Sequence, residues 1–214
     1  MKTILFFFLT LSTSIIFAQP RVITFGSNQD ETESIDEIHS LKLHTLEFIS
    51  ADYSLYYELA LTHKISTEVS IGMTFGDDWG NEASDHFYNS MYVDPKLGYS
   101  FSVAIRFYPI EVFEEIYIAP EYKFRSYGWD NHGTLSGNLP VVDKQEETRT
   151  YSMPRIAFGY ITYLFNNVTI DTHLGFGLNT KKERMYDQTI EEHQNYTIGP
   201  KPRIHGGFKI AYVF

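Results

Sequence analysis

The sequence predicts an all-β chain folded as an eight-stranded antiparallel up-and-down barrel that crosses a membrane on its strands. Three observations predict it. The N-terminus is built like an export leader, apolar and polar residues alternate from Leu41 to the end, and the connections alternate between short and long. Composition sets the bounds. The 214 residues are 43% hydrophobic yet carry 27 Asp and Glu against 17 Lys and Arg, with no cysteine. Without cysteine there is no disulfide scaffold, thiolate metal site, Cys nucleophile or lipidated Cys anchor. An acidic balance argues against nucleic acid as a partner. Mean hydropathy is −0.23, and no apolar run beyond the N-terminus is long enough for a membrane helix.

The leader spans residues 1–18. Lys2 precedes the apolar stretch from Ile4 to Phe17, and the small Ala18 closes it. That order is a signal peptide, expected to be cleaved after Ala18. Residues 19–40 hold Asp30, Glu31, Glu33, Asp36 and Glu37 and form an acidic flexible lead-in. The barrel is expected over 41–214.

Eight alternating segments follow, at about 40–49, 53–62, 65–76, 96–109, 116–128, 149–164, 168–180 and 203–214. Successive strand side chains point to opposite faces, so each segment separates an apolar from a polar face. In the fourth, Leu97, Tyr99, Phe101, Val103, Ile105 and Phe107 share one face; Gly98, Ser100, Ser102, Ala104, Arg106 and Tyr108 share the other. The first is the weakest. Leu46 and Phe48 fall out of phase with Leu41 and Leu43, which predicts a bulge near Thr45. All reach the ~9–11 residues of a tilted membrane strand. Thr62–Lys64, Ile110–Glu115 and Asn166–Asn167 are short connections. Asp77–Asp94, Trp129–Glu147 and Lys181–Pro202 are long polar loops, and only the first outer connection, Ser50–Asp52, is short. Strand parity places the short turns in the periplasm and the longer loops outside. A soluble sandwich also alternates. Gly, Ser, Ala and paired charges on the polar face, with Tyr and Phe near the ends of the apolar one, favour the barrel.

The final strand carries the most specific motif. Phe208, Ile210, Tyr212 and Phe214 share one face, and the last residue is aromatic. It resembles the assembly β-signal of bacterial outer-membrane proteins. With the leader, the strand count and Gly72, Gly98, Gly159 and Gly175 on inner faces, the chain resembles the small eight-stranded outer-membrane barrel family, similar to OmpX and the OmpA transmembrane domain. The stretch Ile118–Lys123 is similar to strands of Bacteroidota barrels. The resemblance implies a monomer in the outer membrane, with membrane lipid and the barrel-assembly machinery as its partners.

Eight strands enclose a lumen that side chains fill. Glu58, Glu68, Glu121 and Asp171 are expected inside with Arg106, Lys123, Arg125, Arg155 and Lys209, beside His173 and His205. Opposite charges in a narrow dry tube should pair, since an unpaired buried charge is costly. That gives a charge-network plug, or alternatively a narrow gated, porin-like path for ions or small solutes. Trp79, Trp129, Tyr186 and Tyr196, together with Phe87 and Tyr88, are loop candidates for recognition of an extracellular ligand or for adhesion. A structural envelope protein is the competing class. A lipid A-modifying enzyme is the weaker alternative: none of the eight His has Ser two positions on, the spacing that would bring base and nucleophile to one strand face. Asp77–Glu82 lacks the spacing of a calcium loop. No catalytic, cofactor or metal residues are expected.

Overall fold

The computed structural model describes residues 39–74, 93–131, 145–187 and 190–214. The leader, most of the lead-in, residues 77–92 and 132–144 of the expected loops, and with them Trp79, Phe87 and Tyr88, lie outside the described residues. The elements are β1 (His39–His44), a 3-10 turn (Thr45–Ser50), β2 (Asp52–Thr62), β3 (Ile65–Thr74), β4 (Val93–Phe107), β5 (Glu115–Asn131), β6 (Gln145–Tyr163), β7 (Val168–Asp187) and β8 (Glu192–Val213). Every strand pairs antiparallel with its sequence neighbours, and β1 closes on β8 from Ser40↔Val213 to His44↔Lys209. His39 and Phe214 exchange two backbone hydrogen bonds at 2.9 and 2.8 Å and pin the chain ends together. The ring is an eight-stranded up-and-down barrel.

Alternation explains the wall. On β4 the apolar face from Leu97 to Phe107 is exposed, while Ser100, Ser102, Ala104 and Arg106 are buried. The same inversion runs around the ring: Ile71 is 73% exposed, whereas Glu58 and Asp171 are fully buried. A soluble sandwich would bury the first and expose the second. The closed ladder also pairs the backbone that faces an apolar solvent, save along the edge of β8 beyond Lys209, where β1 has ended.

The first strand departs from expectation. It ends at His44, and no bulge forms at Thr45. Continuing it would aim Leu46 and Phe48 into the lumen and Glu47 outward. The 3-10 turn reverses that, turning Glu47 inward and exposing Leu46, Phe48 and Ile49. His44 Nδ1 accepts from the Glu47 N–H at 3.3 Å, and Ala51, at φ 53°, returns its N–H to Phe48 O at 3.1 Å.

Strand pairing runs into two of the expected loops, at both ends of Trp129–Glu147 and through most of Lys181–Pro202. β5 continues to Asn131 and β6 begins at Gln145. β7 and β8 pair as far as Asp187↔Glu192, so Lys181–Pro202 is mostly a long hairpin. Beyond the apolar belt both faces are polar, so the period-two signal fades while backbone pairing continues.

At the opposite end the β4–β5 connection folds into the barrel mouth. Val112 N–H donates to His63 O at 2.9 Å, which fixes that turn against the β2–β3 turn. Val112 and Phe113 then pack with Tyr108, Tyr117, Ile161 and Val213 into a buried apolar plug.

Candidate functional site in the barrel lumen

Above the plug lies a network of three bases and three acids. Arg106 on β4 donates to Asp171 on β7 at 2.7 Å and to Glu68 on β3 at 2.5 Å. Lys209 on β8 reaches Glu68 at 2.6 Å. Lys42 on β1 pairs with Glu58 on β2 and lies 3.1 Å from Asp171. Tyr108 and Tyr117 donate to Glu58 and Asp171, each at 2.6 Å, and the Arg106 guanidinium stands 4.2 Å over the Tyr117 ring. All six charged side chains are buried. Neither sign is in excess, which is the condition under which buried charges persist without water.

A second tier sits closer to the loop end. Lys123 pairs with Glu47 and, at 2.8 Å, with Asp52. Arg155 grips Glu121 through two hydrogen bonds at 2.8 and 2.6 Å, a fork geometry that fixes both groups. Tyr56 donates to Glu47, and Ser54 and Ser100 donate to Asp52. Arg125 Nε donates to Thr74 Oγ1 at 2.8 Å. A cavity of about 400 Å³ opens beside this tier, bordered by His44, His173 and His205 among others.

The highest tier is aromatic. Trp129, expected in an exposed loop, is instead an inward residue of the lengthened β5 and is only 5% exposed. Its indole N–H donates to Glu147 at 2.8 Å, Arg149 lies 5.2 Å over its ring, and it packs beside Tyr127 and Tyr151. Tyr186 is half-buried on β7, edge-on to His193 at 5.4 Å. Tyr196 is exposed on β8 and donates to Gln194.

Glu58, Glu68, Arg106, Glu121, Lys123, Arg125, Arg155, Asp171, His173 and Lys209 all face the lumen, as does His205. They divide between the two tiers instead of forming one network. Sequence reasoning missed Lys42, Glu47, Asp52 and Tyr56; it places Tyr108 and Tyr117 on inner faces without giving them a part in the network. Lys42 was available from its place between Leu41 and Leu43; Glu47 was not, because only the 3-10 turn carries it inward. Of the terminal motif, Ile210, Tyr212 and Phe214 are exposed on the outer face, and Phe208 is half-buried beside the 3-10 turn. Among the described residues no group of three or more His, Asp or Glu could hold a metal ion.

Fold and lumen together define a class: a closed eight-stranded barrel with an apolar exterior and an ion-paired interior. No family model matches the chain, and no curated protein matches it. Among solved structures it is similar to a major outer membrane protein from Thermus thermophilus, with a TM-score of 0.46 and 14% identity over 83% of this chain and 99% of that one. The barrel is defined by this chain's own strand pairing.

Proposed function

We propose that the chain is an integral outer-membrane barrel, exported by its leader and monomeric, with a closed lumen and no catalytic role. It acts as a surface structural or binding protein through its loop end. One observation carries this: an apolar belt surrounds a lumen spanned by the balanced set Lys42, Arg106, Lys209, Glu58, Glu68 and Asp171 above an apolar plug. Such a core holds eight strands together without cysteine and leaves no continuous water path. Long strands rising beyond the belt give the loop end a rigid base for recognition.

Recovery of the protein in outer-membrane fractions, with gel mobility that shifts on heating, is the expected result. A protein that stays soluble and shows no shift would overturn the proposal. The cavity above the network favours the channel as a second reading, in which the network is a gate. Planar bilayers separate them: a closed lumen stays silent, while discrete openings abolished by Arg106→Ala would establish a path. Lipid A of unchanged mass on deletion and overexpression is expected for a barrel without catalysis.

A further inference from the structure

Above Lys209 the wall has a seam. The ladder of β1 with β8 ends at His44↔Lys209, where β1 leaves the sheet. β8 continues to Glu192, paired on its other side with β7. Among the described residues, the free edge of β8 along this stretch is met by the 3-10 turn, with Thr45 Oγ1 donating to Phe208 O at 3.1 Å.

Inside and outside meet at this seam. Arg203 is an inward residue by parity, in step with His205 and Lys209, yet it is exposed. The 400 Å³ cavity is lined by the inward His173 and His205 and also by the outward Leu178 and Ile204. It also reaches Leu46 on the 3-10 turn, the segment that stands against the free edge of β8, so the cavity lies along the seam. Its volume lies within the roughly 300–1,000 Å³ of small-ligand sites.

The lining is divided in character. Leu46 and Ile204 form its apolar side toward the seam. Toward the lumen, Lys123, Arg125, Arg155 and Arg203 stand against Glu47, Asp52 and the Glu121 that Arg155 grips, four bases to three acids. Three polar atoms on this side have no hydrogen-bond partner: His173 Nδ1, His205 Nε2 and Asn179 Oδ1. His173 is only 8% exposed. A buried polar atom without a partner is costly, and native structures leave few of them. The rings are held there by missing side chains. A Cβ on Gly207 would stand 1.9 Å from the His173 ring, and one on Gly175 would stand 2.2 Å from the His205 ring.

We infer that this seam-side cavity binds a single-chain amphiphile with an anionic head. The carboxylate or phosphate head meets the histidines and arginines, and its chain leaves past Leu46 and Ile204 into the surrounding apolar phase. The site depends on the membrane-barrel reading proposed above, because only a lipid-facing seam receives such a chain.

The test uses the full chain refolded in nanodiscs of zwitterionic lipid, with heat-shifted gel mobility checked first. Laurate, lysophosphatidate, dodecanol and dodecyltrimethylammonium compete against a fluorescent long-chain acid. Saturable displacement by laurate points to a free acid and by lysophosphatidate to a lipid headgroup; either supports the site. The neutral and cationic competitors should be at least about tenfold weaker. Arg203→Glu and Ile204→Glu, both at exposed positions, should each weaken the anion by about tenfold and keep the heat shift. Equal binding of dodecanol, an unchanged Arg203→Glu variant, or no saturable binding in a heat-shifted barrel would overturn the site alone. Absence of the heat shift in the unmodified chain would overturn the barrel reading and the site together.

Discussion

Replacing Arg106 by Met tests whether the lumen network stabilises the barrel or merely occupies it. Three bases, Lys42, Arg106 and Lys209, face three acids, Glu58, Glu68 and Asp171, so the cluster is neutral. The substitution removes the group that bridges Glu68 at 2.5 Å and Asp171 at 2.7 Å and leaves two bases against three acids. Breaking a buried pair from one side costs about 3–5 kcal/mol, because the remaining charge stays dry and unmatched. Loss of the cation–π contact with Tyr117 acts in the same direction. Adding Glu68→Gln restores two bases against two acids. The double variant should therefore cost about 1–3 kcal/mol less than the two single variants summed, a coupling of the size seen within shared networks. Urea unfolding in lipid vesicles, followed by tryptophan fluorescence and by heat-shifted mobility, measures both. A cost below about 1 kcal/mol for Arg106→Met, or a double variant no better than the sum of the singles, would refute the network as the stabilising core.

The belt makes a second prediction. Val103 faces outward between Val69 and Tyr122, midway along the apolar face of β4. Val103→Lys should cost about 2–4 kcal/mol in vesicles if that face meets lipid, whereas a cost within about 0.5 kcal/mol, usual for a surface change in water, would show that it does not. Gly98→Ala should cost about 1–3 kcal/mol by overpacking, since its Cβ would lie 2.2 Å from Ser126 O and 2.7 Å from Tyr127 Cα. Gly206→Ala is the control, with its nearest neighbour at 3.6 Å and an expected change below about 0.5 kcal/mol in the same unfolding assay. Deleting Phe214 removes both terminal hydrogen bonds to His39. It should lower the heat-shifted fraction in outer membranes several-fold at unchanged synthesis, measured by pulse-labelling.

Legibility in the sequence follows the solvent. Where one face of a strand is apolar and the other polar, as from Leu97 to Phe107, hydropathy reports the strand and its inner residues directly. Where both faces are polar, as from Lys181 to Asp187 and Glu192 to Lys201, the backbone keeps its ladder but hydropathy no longer marks it. Trp129 is misplaced by sequence for that reason: hydropathy ends its strand at the belt, while pairing runs to Asn131. Glu47 is hidden differently. Its inward position comes from a turn of the chain, and the out-of-phase Leu46 and Phe48 signal a break without specifying which kind. Val112 and Phe113 lie in a short connection whose sequence gives no sign that it folds back into the mouth.

The two strands that close the ring also deliver two of its three central bases, Lys42 from β1 and Lys209 from β8. A sheet assembled only from β2 to β7 would hold Glu58, Glu68 and Asp171 against Arg106 alone, a central charge of −2 from one base minus three acids. The last step of assembly is therefore also the neutralising step. Partly built sheets stay electrostatically unfavourable and wet at their centre, and drying of the interior awaits the meeting of the two chain ends. Assembly of this barrel should consequently be all-or-none, with the terminal strands acting as its latch.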